Sequence, residues 1–556
     1  LITTSSPSVT QHQPDKSLIP LVLGVVGHRD PIQECIPQVA ERFKEDVRQL
    51  LHTLPHTPIL MLNGLATGMD SIAAEVFLEV AVSRNATQPH APLHHLLVAV
   101  LPKHPDRYRL DFKAEELDGF DQLLKRCHAV LHPGNCAELR GDAAPGDDLP
   151  NPDCYGSQGI FLVRHAYLIA AFFNGCETME VGGTGQTISL QKGEVHPLFL
   201  SVDEVVSARE PGAMIEYLTP RYKNTANSSR PNRAYWLETK AASQLDAILK
   251  LPASLDRINA RLMVSPSTIS AYAPVQSVLW SHADRQAVQG KDRFLFYCRA
   301  FVVLGGSIGL LLSLQPFQIA GLLAILPAAV IFPQLQRRQK QIFIENRCLA
   351  EALTVQHFWS EMEVEVDVAD IFRTQTNTNM AWIRTVLRST RLQLIARLSC
   401  LPERPATSPA ESMIKWLELQ LRWLAATCDR YRRLDRRCLV IAGLAYGAAL
   451  TSAIINASQP AKEIAWLPEF MFIIFVLSLG FRELMGYADM VTRYTRSREQ
   501  FERGLQAIQQ AMATTADEEK RTQRLKCAVE AIGREKVDEL NDWITSQLQR
   551  VYKPVS

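Results

Sequence analysis

Short apolar runs near the start of the chain alternate with stretches of helical spacing. Residues 21–26 (LVLGVV), 59–62 (ILML), 95–101 (HLLVAVL) and 129–131 (AVL) are continuous apolar runs bounded by Gly, Asn, Pro or charge. Runs of that length predict strands covered on both faces. Between the first two, Ile36, Val39, Ala40, Phe43, Val47, Leu50 and Leu51 share one helical face and predict a helix. Residues 71–82 predict a second helix and 120–126 a third. Residues 159–174 predict a helix running into a strand, and 198–201 a last strand. Residues 141–155, rich in Asp, Pro and Gly, predict a loop.

The pattern changes at Phe294. Residues 300–335 contain no charged side chain and divide at Gln315 and Pro316, giving spans of about 297–314 and 317–335. A second pair follows at about 438–457 and 464–481, interrupted only by Glu469 close to the turn. Each is near the length that crosses a bilayer core, so the pattern predicts two transmembrane hairpins. Pro327 is tolerable inside such a span. Weak likeness between the stretches beginning at Arg293 and Arg430 reads as a duplicated helix–hairpin–helix unit. Arg293, Arg299, Arg337, Arg338 and Lys340 flank the open side of the first hairpin; Arg432, Arg433, Arg436, Arg437 and Arg482 flank that of the second. Lys462 is the one basic residue in the outer turns, so positive charge predicts cytoplasmic open ends and cytoplasmic N- and C-termini. The division read from the chain is a polar, disordered tail over 1–17 with no signal-peptide pattern, and an α/β domain over 18–218. A basic, turn-rich linker over 219–240 and helix–hairpin–helix units over 241–400 and 401–556 complete it. Ser408, Pro409 and Glu411 form a capping-box pattern opening a long cytoplasmic helix.

Composition narrows the function. A net charge of +1 over 556 residues gives no field for bulk nucleic-acid binding. The eleven cysteines are scattered with no CxxC pair, so neither a zinc site nor a disulfide scaffold is expected.

The candidate chemistry lies in three glycine loops. Residues 61–75 (MLNGLATGMDSIAAE) read as strand, glycine loop and helix start, an order that presents backbone N–H groups and a positive helix end to an anion. Gly64 and Gly68 permit close approach, and Thr67 and Ser71 add hydroxyls. Asp70 is either a ligand contact or only the helix cap. Gly27, His28, Arg29 and Asp30 end the first strand; Arg29 contacts a ligand or pairs with Asp30, and His28 is more often a packed histidine than a base. Gly182, Gly183, Thr184 and Gly185 form the third loop. Such loops belong at the carboxyl ends of strands in an open α/β sheet, with Tyr108, Asp111 and Arg164 as further polar candidates at the crevice.

The combination of GVVGHRD, NGLATGMDSIAAE, a strand ending AVLP, and GGTG resembles the SLOG superfamily, over roughly residues 18–215. That superfamily includes the Lonely Guy phosphoribohydrolases and the sensor domain of melastatin-type channels. The following helices resemble those of SLATT-type bacterial effectors. The resemblance implies a Rossmann-like α/β domain fused to an all-α membrane domain. Its ligand would be nucleotide-derived, of the ADP-ribose or cyclic-nucleotide kind; the sequence itself offers no metal site, and no other cofactor is expected. It implies a homo-oligomeric effector or channel-like protein of the bacterial inner membrane, in antiphage defence. The phosphoribohydrolase motif GGxGTxxE requires a carboxylate where this chain carries Ser189, and Gln186 replaces the motif Thr. That favours binding over turnover, with Asp70 or Glu75 as alternative carboxylates. A membrane-anchored N-glycosidase and a non-catalytic membrane scaffold are the other readings.

Overall fold

The computed structural model describes residues 18–82, 95–132, 151–176, 181–193, 212–222, 231–237, 240–242, 244–264, 277–314, 317–362, 364, 366–372, 380–398, 409–458, 465–514 and 518–552. The strands are β1 (Leu21–Gly27), β2 (Ile59–Asn63), β3 (Leu96–Val100), β4 (Ala129–Leu131), β5 (Leu168–Phe173), β6 (Ala213–Leu218), β7 (Arg233–Leu237) and β8 (Lys240–Ala242). The main helices are α1 (Ile36–Thr53), α2 (Met69–Phe77), α3 (Ala114–Arg126), α4 (Asn151–His165), α5 (Thr184–Gln191), α6 (Lys250–Val264), α7 (Val278–Ser313), α8 (Gln318–Glu361), α9 (Ala381–Leu398), α10 (Pro409–Ser458), α11 (Leu467–Met485), α12 (Tyr487–Thr514) and α13 (Glu518–Tyr552). They form two compact units.

The first unit is a sheet in the order β4-β3-β2-β1-β5-β6-β7-β8. Strands β1 to β6 run parallel, and β7 and β8 continue the sheet antiparallel. The central strands are apolar on both faces because both are covered. On one side α1, α2 and α3 pack Val39, Phe43, Ala73, Phe77 and Phe120 against Leu23, Met61 and Leu97. On the other, α4, α5 and α9 pack Ile160, Val163, Ile188 and Leu392 against Val26, Leu62 and Val98. The chain moves from β1 outward through β2, β3 and β4 and then returns to lay β5 on the opposite side of β1. The order therefore reverses between β1 and β5, which is where an open α/β sheet leaves a crevice.

Several boundaries differ from the sequence reading. The stretch read as a linker, 219–240, contains β7, and Pro31 bridges to Arg221. Helix α4 begins within the stretch read as a loop. Helices α6 and α9, read with the membrane region, belong to the sheet unit, where α9 packs on α4 and β4. The strand read at 198–201 and the tail 1–17 lie outside the described residues.

The second unit is helical and has four helices long and apolar enough to cross a membrane, as a multi-pass membrane protein requires. Leu323 and Leu444 are 70% exposed and Val303 69%, a cost in water that disappears in lipid. At about 1.5 Å per residue, the 50-residue α10 is roughly 75 Å long, more than twice a bilayer core, so much of it lies outside the membrane. There its aromatic Trp416 meets Phe358 of α8 and Phe501 of α12. Inside the apolar zone, Gly305 and Gly309 of α7 sit against Leu477 and Ile473 of α11; a Cβ on Gly309 would lie 2.8 Å from Ile473 Cγ2. Small residues at this spacing let membrane helices approach closely.

Candidate functional site

The crevice is built from the ends of β1 and β5. His28, directly after β1, is buried beside Asn174, directly after β5. Its Nε2 takes the Asn174 N–H at 3.2 Å and lies 3.3 Å from Asn174 Oδ1. Burial, reinforced by the Arg221 charge, lowers the His28 pKa to about 4, so the ring is neutral at physiological pH. His28 is thus a packed, bridging histidine, which leaves it poorly suited to act as a base. Thr184 Oγ1 donates to the Gly27 carbonyl at 3.1 Å and ties the third loop to the first.

The second loop is locked to the first by the backbone. Gly68 has φ +91°, and a Cβ there would lie 2.5 Å from the His28 carbonyl oxygen and 2.6 Å from that of Arg29. Only glycine fits. The Met69 N–H donates to the His28 carbonyl and the Ser71 N–H to the Ala66 carbonyl, while Ser71 Oγ donates to the Gly68 carbonyl. The start of α2 therefore spends most of its donors inside the fold. The start of α5 does not. Gly182 N–H is taken by Gln186 Oε1 at 2.6 Å, but the N–H groups of Gly183, Thr184 and Gly185 have no acceptor among the described residues. Free donors at a helix start make α5 the stronger anion cradle.

Asp70 is 9% exposed, and its Oδ1 has no hydrogen-bond partner among the described residues. Burial raises its pKa to about 7 against the opposing pull of Arg29 and the amides of Gly27 and Ala66. Added Cβ atoms on Gly27 and Gly64 would each come 3.2 Å from one of its oxygens, and closer still to Met69 Cβ and Gln158 Nε2, so the site is tightly packed around both glycines. Gln158 of α4 reaches over Gly64 to donate to the Val100 carbonyl at 2.6 Å.

A polar chain lies at the mouth. Arg29 Nη2 donates to Tyr155 Oη at 2.9 Å, and Tyr155 Oη donates to Asp111 Oδ2 at 2.6 Å. Asp111 also takes Lys103 Nζ at 2.6 Å. Arg29 and Lys103 stand 5.1 and 5.6 Å from the Tyr155 ring centre. Arg29 remains exposed, so its charge is available to a ligand. Arg221, not Arg29, pairs with Asp30, at 2.6 Å.

The structure thus brings together Gly27, His28, Arg29, Gly64, Gly68, Asp70, Ser71 and the loop from Gly182 to Gly185, with Thr67 partly exposed beside Gly68. Tyr108 is at the site but fully buried, donating to the Gly64 carbonyl at 3.3 Å; it supports the loop and offers no surface to a ligand. Arg164 is not at the site. It lies in the last turn of α4, nine residues and about 13 Å along the helix from Tyr155, toward the amino ends of the strands. Lys103, Tyr155, Gln158, Asn174 and Gln186 were missed. Asn174 Nδ2, Gln186 Nε2, Asp30 Oδ2 and Asp70 Oδ1, on residues of these loops and helix starts, are buried atoms without partners among the described residues. Grouped at the crevice, they are atoms whose missing partners a bound ligand could supply. The signal available in sequence was position: Asn174 follows a strand, and Gln186 replaces the motif Thr.

Among the described residues no group of three or more His, Cys, Asp or Glu is placed to hold a metal ion. Comparison with family models, curated proteins and solved structures finds no match to this chain.

Proposed function

We propose that the sheet unit binds an anionic, nucleotide-derived ligand of the ADP-ribose or cyclic-nucleotide kind, and that binding gates or assembles the membrane helices. The observation that carries this reading is the set of unpartnered buried polar atoms and free α5 amides at the strand-order reversal, beside exposed Arg29. The connectivity supports coupling. Helix α9 lies in the chain between the two hairpins yet packs on α4, the helix that carries Tyr155 and Gln158. A ligand that favours one arrangement of α4 therefore biases a segment joined to both hairpins. Four spans per chain are few to enclose a pore, so the reading takes a homo-oligomer. The SLOG and SLATT resemblance extends it to a bacterial inner-membrane effector with cytoplasmic termini and a role in antiphage defence.

The test is a flux or dye-release assay with the full chain in liposomes, challenged with a nucleotide panel. Ligand-dependent release that Arg29→Ala weakens at least about tenfold supports the reading; no response to any nucleotide opposes it.

A second reading, a membrane-anchored N-glycosidase, draws on Asp70, a crevice carboxyl with its pKa raised to about 7. Chromatography of the ligand after incubation separates the two, because a sensor returns the nucleotide intact.

A further inference from the structure

Just below the apolar stretches, three helices of the second unit carry exposed arginines: Arg293 and Arg299 on α7, Arg337 and Arg338 on α8, Arg436 and Arg437 on α10. None of the six has an acidic partner within ion-pair distance among the described residues. Contacts between the helices put them at one level. Phe301 of α7 meets Phe332 of α8 at 6.0 Å, and Lys340 of α8 lies 5.8 Å from the Phe294 ring. Tyr487, at the start of α12, packs its ring tilted against Tyr431 of α10 at 5.8 Å and feels the charge of Arg299. Arg482, at the end of α11, is held at the same level by Asp435 of α10, at 2.7 Å. Among the described residues, Asp292 and Glu483 are the acids at that level without an ion-pair partner, so the collar is strongly positive.

Arginines without partners face water at little cost, but their placement here is specific. They ring the ends of spans whose side chains are exposed and apolar. A guanidinium at that depth meets the phosphate layer of a bilayer, where its planar fork pairs two oxygens. We propose that this collar binds the headgroups of anionic phospholipids and that the second unit is stabilised by them in preference to zwitterionic lipid. The proposal rests on the four membrane-length helices and not on the nucleotide reading, and its test contains no nucleotide.

The experiment uses the full chain purified in a neutral detergent, with thermal unfolding followed as phosphatidylglycerol or phosphatidylcholine is added. Phosphatidylglycerol is expected to raise Tm at a concentration at least about tenfold lower than phosphatidylcholine, and about 0.5 M salt should narrow that gap. A variant with Arg337, Arg338, Arg436 and Arg437 all changed to Gln should lose the preference, and the matching Lys variant should keep most of it. Equal stabilisation by the two lipids overturns the proposal. So does a Gln variant that retains the wild-type preference, or inorganic phosphate reproducing the phosphatidylglycerol effect. If the Gln variant fails to fold, the salt series on the wild type and the Lys variant still decide.

Discussion

Asp70→Asn gives the sharpest view of the crevice. In the folded protein the Asp70 pKa is about 7, against an ordinary value of 3.8, because the carboxyl is buried and the Arg29 charge only partly compensates. The unfolded chain releases this proton first as pH rises, and the folded chain keeps it until about pH 7. Asp70 therefore contributes stability that is fully present below about pH 4 and is lost as pH rises through about 7. Three pH units at 1.36 kcal/mol each make the whole loss ~4 kcal/mol. Asn imitates the protonated acid and cannot ionise, so the variant escapes the loss. Ionisation of Asp70 should set wild type and variant apart by only ~1 kcal/mol at pH 4.5, and the variant should gain a further ~3 kcal/mol on the wild type as pH rises to 8. At ~2–4 °C per kcal/mol the gap is on the order of 10 °C in Tm. Differential scanning fluorimetry of both proteins across that range measures it, and the difference cancels every other titrating group. Parallel Tm curves for the two proteins would refute a buried, ionising Asp70.

Three more outcomes follow from single contacts. Gly68→Ala places a Cβ against two carbonyl oxygens at a φ of +91°, so it should destabilise the sheet unit by about 3 kcal/mol, seen as a lower Tm with nucleotide response lost. Gly309→Leu should separate α7 from α11, since even a Cβ falls 2.8 Å from Ile473; a crosslink between cysteines placed on those two helices reports the change. Glu351 sits between Arg347 and Lys536, which outweigh its burial and hold its carboxyl below the usual range. Glu351→Gln removes the carboxylate shared by two part-buried cations, leaving Arg347 with Asp284 and Lys536 with Glu539, and should cost about 2 kcal/mol, most visible as earlier proteolysis of α8 and α13.

Much of the fold was legible because its central strands are covered on both faces. Residues 21–27, 59–63, 96–100 and 168–173 have little choice but continuous apolar sequence. The same logic hid β7. Its RAYWL is half-buried at one side of the sheet and sits among polar, turn-rich residues, so it carried no buried-strand signal. Helix α9 was readable as a helix, but an amphipathic stripe says that a helix packs and not on what; Leu392 packs in the sheet core. Arg164 was misplaced because α4 was taken to start eight residues late, which hid how far from the crevice its last turn lies. The glycine loops marked where the strand ends crowd together, since Gly68 must be glycine for steric reasons. The amides of Asn174 and Gln186 could not be announced, because a neutral amide becomes informative only when burial leaves it unpaired. The four spans were plain from length and charge alone.

The most direct measurement is nucleotide binding to the purified full chain, read as thermal stabilisation and confirmed by calorimetry, beside Arg29→Ala. A ligand at about 100 times its Kd should add about 2.7 kcal/mol of stability to the wild type, and far less to the variant at the same concentration. It should also be recovered intact. Stabilisation of wild type and Arg29→Ala to the same degree, or none with any member of a panel that includes ADP-ribose, cyclic ADP-ribose and cyclic oligonucleotides, would contradict the account.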